Sequence, residues 1–530
     1  MSCRDCAVIR RLLVFAAIVL STVGLSTVAT PERAVATSDT GRWAVIFNQS
    51  ELPADVDALV GNAGGTVTER IPQVGAVRAE SADPAFGSRM AATAGVRAVS
   101  PDVEVQLIPE DVTPPQQLPS SPPVDEPNGP AEPAGPDPQP GFDNFYNQQW
   151  DKMRMNASAT GSYAVQRGRD DVVAAVLDTG ADVLPVAHPD IAPNLDFARS
   201  RSFVGSNAPG GDPNPAAWDD RHGHGSWCLS AVGAPINTVG VSGVAPNVTL
   251  VALKVLSDTG SGSFLDLAEA LVYAGVNKFD VASMSLGGFM NHSEFEALYI
   301  AVQRATEFAR TNGVTPVAAL GNNNFDLGDG SFMRDFIEVP GEVPGVIGLS
   351  ATGYYNQKSY YSNYGVGKAD VSAPGGDRIF QIPPPNYRGG GRTLGAWARE
   401  NLGGVSPVLI EEDCTPDVIG ECGTYAWVQG TSMATPNAAG VAALIVSQYG
   451  DFSPDNSQKL HMSPTAVEAI LQETANNQPC PQPRTVTYPG QPTDLPPTAT
   501  CNGNAGYNGF YGKGIVDAFK AVTDRPPTMS

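Results

Sequence analysis

The chain has 530 residues, of which 42% are hydrophobic and only 16% charged, and its formal net charge is −23. That length exceeds one ordinary domain, and the apolar share allows a large core. The acidity argues against nucleic acid or an anionic membrane surface as a partner and suits a secreted protein.

Arg4, Arg10 and Arg11 precede the apolar run LLVFAAIVLSTVGLSTVA, and small residues follow at 27–29 and 34–36. This layout predicts a cleaved secretory signal over 1–36, with an uncleaved membrane anchor as the competing reading. No later segment reads as a membrane span. Residues 37–108 hold a module in which 43–106 alternate apolar and polar residues around the more helical ADVDALVGNAG, the pattern of a small α+β unit. Residues 109–145 are Pro-rich and acidic and predict an extended linker. From 146 to 524, apolar strand-like runs alternate with helical segments. That predicts an α/β fold with a doubly wound, mostly parallel sheet, followed by a short tail over 525–530.

Of the seven cysteines, Cys3 and Cys6 fall in the signal. Cys414 and Cys422 could close a small loop and Cys480 and Cys501 a Pro-rich one, as disulfides of an oxidising compartment, although spacing leaves the pairing open. Cys228, in apolar surroundings, is expected to be a buried structural thiol.

VVAAVL reads as a strand buried on both faces, which puts Asp178 at its C-terminal end, where open α/β sheets place their sites. DDRHGHGSWCLSAVG brings two of the five histidines, His222 and His224, two residues apart. In VQGTSMATPNAAGVAALIV, Ser432 lands at a helix N-terminus, where free N–H groups and the macrodipole stabilise developing negative charge. A plain N-cap serine is the competing reading.

GTSMATP resembles the nucleophile motif of the subtilisin-like serine proteases, the subtilases, and the order Asp, His, Ser is also theirs. The resemblance runs through most of 146–524. It implies that Asp178, His224 and Ser432 form the triad, since Gly223, His224 and Gly225 match the histidine motif and His222 falls before it. Trp227 departs from the family's second histidine and implies an altered wall near the cleft. PVAALGNNNFD resembles the oxyanion segment, with Asn322 as side-chain donor and Leu320, where alanine is usual, narrowing the adjacent pocket.

SDTGSGSF and VASMSLGG resemble the two stretches that flank the substrate. They imply backbone pairing through Gly260, Ser261 and Gly262 on one side and Ser285, Leu286 and Gly287 on the other. FIEVPGEVPG resembles the floor of the primary specificity pocket and places Glu338 there, where it favours Lys or Arg, unless it is a solvated loop glutamate. HPDI and PINTVGVSGVAP resemble a structural Ca²⁺ site, implying Asp190, Asn237, Gln149 (or Gln148) and the Val239 and Val241 carbonyls as oxygen ligands. The 37–108 module resembles the family's propeptide, a folding helper and intramolecular inhibitor, with processing between about 107 and 145. Residues 376–427, carrying PPPNYRGGGR, read as an insertion with a surface loop near the cleft. The expected protein is a monomeric secreted serine endopeptidase, acting on polypeptides and made as a zymogen. A catalytically impaired subtilase-fold binding protein is the alternative.

Overall fold

A computed structural model describes residues 41–107, 141–205, 211–212, 214, 216–330, 333–380, 389–414, 422–452 and 460–524. The signal, most of the linker, the expected processing region and the tail lie outside the described residues.

The N-terminal module comprises β1 (Arg42–Phe47), α1 (Val56–Asn62), β2 (Thr66–Ile71), β3 (Ala76–Glu80), α2 (Phe86–Ala91) and β4 (Val96–Pro101), with β5 (Glu104–Leu107) trailing from it. The first four strands form an antiparallel sheet in the order β2-β3-β1-β4. Alternation along β1 divides its side chains between two cores. Val45 and Phe47 pack with Val60, Phe86 and Met90 of the module's helices, whereas Ala44 and Ile46 face the main body.

The main body follows in chain order: α3 (Trp150–Arg154), β6 (Val173–Asp178), β7 (Arg201–Ser202), α4 (His224–Gly233), β8 (Thr249–Lys254), β9 (Ser261–Ser263), α5 (Phe264–Val276), β10 (Val281–Met284), β11 (Leu286–Asn291), α6 (Glu296–Thr311), β12 (Thr315–Ala319), β13 (Phe336–Val339), β14 (Ile347–Thr352), β15 (Val371–Pro374), β16 (Thr393–Trp397), β17 (Ile410–Cys414), β18 (Cys422–Val428) and α7 (Thr431–Tyr449). Seven strands make one parallel sheet in the order β15-β14-β12-β10-β6-β8-β7. All six residues of β6 are buried, and its side chains alternate between a core shared with α4 and α7 and one shared with α5 and α6. This is the doubly wound α/β architecture that the apolar runs predict.

The module lies on α5 and α6. Arg304 of α6 donates to the Phe47 and Val74 carbonyls at 2.9 Å each. Arg78 of β3 is buried against Asp102 (2.9 Å), Asp266 (2.6 Å) and Glu69. Asp266 belongs to the capping box of α5, and its partner Ser263 donates to Asp102 at 2.6 Å. Charges of the module thus complete a helix end of the main body, and a buried ion pair with both partners present avoids the cost of a lone buried charge.

One boundary differs from expectation, and the insertion holds more than a loop. Asp143, inside the expected linker, is fully buried and accepts N–H groups of Asn237 and Thr238 at 2.7 Å, so the compact body starts ahead of 146. The 376–427 insertion is not a loop alone, because β16, β18 and β17 form a three-stranded antiparallel sheet. Within PPPNYRGGGR, Gly389 packs against Trp427 and Arg392 is buried. Both expected disulfides are formed, Cys414–Cys422 across that sheet and Cys480–Cys501.

Candidate active site

Asp178, Ser285 and Asn322 all come from the C-terminal ends of neighbouring strands, β6, β10 and β12, where loops leaving a parallel sheet converge. Asp178 is fully buried, and its Oδ1 lies 2.7 Å from Nδ1 of His224, so the ring nitrogen donates to the carboxylate. His224 is the first residue of α4. Gly223 before it adopts φ +110°, a left-handed turn that favours glycine.

Sequence reasoning missed what holds this turn. Buried Asp220 accepts N–H groups from His222 (3.0 Å), Gly223 (2.9 Å) and Ser226 (2.9 Å), and hydroxyls from Ser226 (2.7 Å) and Thr179 (2.9 Å). Burial raises its pKa, but these donors and Lys254 leave it net lowered, so it stays ionised beneath the histidine. An Asp two residues before a turn is the available signal, since such side chains accept from the backbone just ahead.

Ser432 sits in the first turn of α7, buried, with Oγ 3.3 Å from the Ser285 carbonyl. Pro436 lies four residues further on and has no N–H, so the Ser432 carbonyl loses its helical partner. The Ser285 hydroxyl takes that place at 2.8 Å, and the Cys228 thiol approaches at 3.8 Å. Cys228 also lies 3.9 Å from His224 Nδ1, so one buried thiol lies between the turn of α4 and the turn of α7. Burial pushes that thiol up to about 12, which keeps it protonated and unreactive, as expected. Asp178, His224 and Cys228 form a metal-capable cluster among the described residues, but the shared Nδ1 is already engaged by Asp178.

Asn322 Oδ1 accepts the Thr431 N–H and hydroxyl, both at 2.9 Å. With the oxygen anchored there, the amide nitrogen is turned away from Thr431. Leu320 is fully buried with Leu327, Met333 and Ala369, and its Cδ2 lies 3.2 Å from where a Cβ on Gly341, the residue that donates to Glu338, would sit.

The two predicted substrate stretches enclose a strand of the chain itself. β5 pairs antiparallel with β9 (Val105 with Gly262, Gln106 with Ser261) and with β11 (Gln106 with Gly287, Leu107 with Leu286). The Leu107 N–H donates to the Gly260 carbonyl at 2.9 Å. Next to β11, Glu338 lies on β13 and is buried, not solvated. Its Oε2 accepts the Gly341 N–H at 2.8 Å, while the buried Oε1 has no close hydrogen-bond partner among the described residues, only the neighbouring Gly288 N–H. A Cβ on Gly287 would lie 2.0 Å from that Oε1, so a side chain there would displace the carboxyl. Burial, then the neighbouring Glu342, holds the acid well above the usual carboxylate range.

The expected calcium residues gather around the loop that carries Asn237, Val239 and Val241. Gln149 Oε1 accepts from Ser242 N (2.8 Å), Asn237 Oδ1 from Val239 N (2.9 Å) and Asp190 Oδ2 from Val241 N (2.8 Å). Asp190 Oδ1 is buried with no close hydrogen bond among the described residues, the Tyr425 and Asn237 side chains being the other groups near the carboxyl. All the donors are oxygens, and a buried unpaired carboxylate oxygen is what a hard cation would satisfy, so the set fits Ca²⁺.

A Subtilase family model matches residues 169–514. The alkaline protease of Alkalihalobacillus alcalophilus is 32% identical over 57% of this chain and 61% of its own length. Subtilisin Savinase of Lederbergia lenta is 34% identical over 57% of this chain and 86% of its own. Among solved structures, the epidermin leader peptide processing serine protease of Staphylococcus aureus superposes with a TM-score of 0.63 at 19% identity, covering 92% of this chain and 99% of that one. Fervidolysin from Fervidobacterium pennivorans gives 0.63 at 20% identity, covering 92% and 61%. The matched family, the order of the motifs and the sheet that carries them agree: the chain belongs to the subtilase family.

Proposed function

We propose that the chain is a serine endopeptidase made as a self-inhibited precursor. The observation that carries this reading is β5, held as an added strand between β9 and β11 beside the Ser432 turn, which is how an extended polypeptide would be presented. In the proposed reaction His224, kept in one tautomer by Asp178, takes the proton of Ser432 as its Oγ attacks the scissile carbonyl. The tetrahedral oxyanion is met by the Asn322 amide and the Ser432 backbone N–H at the start of α7. His224 then returns the proton to the leaving amine, and water clears the acyl-enzyme by the same route. The 37–108 module acts as inhibitor, export follows from the 1–36 signal, and no helix among the described residues is long and apolar enough to cross a membrane. A fluorophosphonate probe tests this: one adduct mapping to Ser432 is expected, lost in His224→Ala. An active protein that takes no label would refute the reading.

Glu338 is proposed to select Lys or Arg at the residue before the cut. Burial raises the pKa of its acid, and a cation placed beside it favours the charged form. A hydrogen bond to a charged group contributes about 1.5–3 kcal/mol, so Glu338→Gln should cut kcat/KM for a Lys or Arg substrate roughly 10- to 150-fold and spare a Phe one. Equal losses on both substrates would count against the pocket.

Ca²⁺ is proposed to be held by Asp190, Asn237 and Gln149 with the Val239 and Val241 carbonyls, where it would supply charge neutralisation to a buried loop. A site saturated at 100-fold its Kd adds about 2.7 kcal/mol to stability. Chelation is therefore expected to lower Tm by several degrees in the wild type and to leave Asp190→Asn unchanged. A wild-type Tm indifferent to chelator would remove the site.

A further inference from the structure

The inserted sheet meets the turn that carries His224 at two tryptophans. Trp227, where the family has a second histidine, is fully buried and does not form a cleft wall. Its indole lies over Gly395 of β16, where a Cβ would come 2.6 Å from Nε1, and Nε1 donates to the Ala426 carbonyl of β18 at 3.3 Å. The Ala396 N–H of β16 donates to Ser230 on α4 at 2.9 Å. Two residues along β16 from Gly395, Trp397 is buried against Gly223, and a Cβ there would sit 2.2 Å from its ring. Trp397 Nε1 donates to Asn401 Oδ1 at 2.8 Å, which fixes the ring. The chain beyond it runs back along the same turn: Leu402 N donates to the Arg221 carbonyl at 2.9 Å and Gly403 N to the His222 carbonyl at 3.0 Å. Asp220 holds residues 222–226 by hydrogen bonds, and the insertion packs against the same segment.

We propose that the inserted segment 393–405 is a positioning element for His224, with Trp397 as the positioning residue that fixes the Gly223 turn. The proposal rests on the protease reading and makes no use of contact with substrate. Asp220 ties the Gly223 N–H, but the left-handed glycine has no side chain of its own to pack the turn, and the Trp397 ring lies where that side chain would be. The imidazole must hold Asp178 on one side and serve Ser432 on the other, and a misplacement of about 1 Å can cost on the order of 100-fold in rate. Trp227 and the insertion are then one adaptation, an indole and a glycine strand replacing the second histidine as support for α4.

The test uses the full chain, with kcat and KM measured on a peptide p-nitroanilide for the wild type, Trp397→Leu, Trp397→Phe and Asn401→Ala. Wild-type turnover establishes the protease reading itself, and each variant is scored as a ratio to it after active-site titration. Trp397→Leu is expected to lower kcat by about 10- to 100-fold with KM within about twofold, and Trp397→Phe to restore most of it. Asn401→Ala keeps the ring but removes its anchor and should lower kcat about threefold, which decides the matter should Trp397→Leu not fold. Wild-type kcat in both Trp397→Leu and Asn401→Ala, or a loss appearing as raised KM, would overturn the proposal.

Discussion

Ser432→Ala is expected to lower kcat by about 10⁶-fold, and the purified variant should retain its N-terminal module. The magnitude follows from the unit character of the proposed triad: His224 and Asp178 have no proton to move once Oγ is gone, so removing the nucleophile forfeits the whole covalent route. The fold should survive. The Ser432 hydroxyl donates at 3.3 Å to the Ser285 carbonyl, whereas its backbone carbonyl, which alanine retains, holds the shorter contact to the Ser285 hydroxyl. A comparison of melting temperatures checks this: because the variant keeps its N-terminal module, its Tm should equal or exceed that of the wild type, and a Tm several degrees lower would mean that the lost turnover reports misfolding.

Asn322→Ala should lower kcat by about 10²–10³-fold with KM nearly unchanged, because the amide serves charge that exists only in the transition state. A second effect accompanies it. Asn322 Oδ1 receives both the N–H and the hydroxyl of Thr431, the residue before the nucleophile, so alanine also leaves buried donors without their acceptor. Asn322→Asp separates the two roles, since it keeps an acceptor for Thr431 but offers no amide donor. Similar kcat losses in Ala and Asp variants would assign the effect to the oxyanion, and recovery in Asp would assign it to the Thr431 contacts.

What the sequence made legible was local. VVAAVL announces a strand buried on both faces because nothing polar interrupts it, and GTSMATP specifies a turn into a helix through residues that sit side by side. The cysteines marked two candidate disulfides, 8 and 21 residues apart, but their pairing was open until the structure formed both. What stayed hidden depends on contacts across the chain. Glu338 looked equally like a solvated glutamate until β13 paired with β11 and buried it. Trp227 looked like a cleft wall because its cover, Gly395 and Ala426, lies well over a hundred residues away. Asp143 read as linker because its composition is that of a linker, while its carboxylate is claimed by backbone N–H groups of a loop nearly a hundred residues on.

The central claim is that Ser432 acts on an extended strand of its own chain, and intact mass of the full-length protein beside its Ser432→Ala variant tests it most directly. The wild type alone is expected to lose its N-terminal module, with the new N-terminus falling between about 107 and 145. Trimming of both proteins at the same bond, or of neither while the wild type turns over peptides, would contradict it.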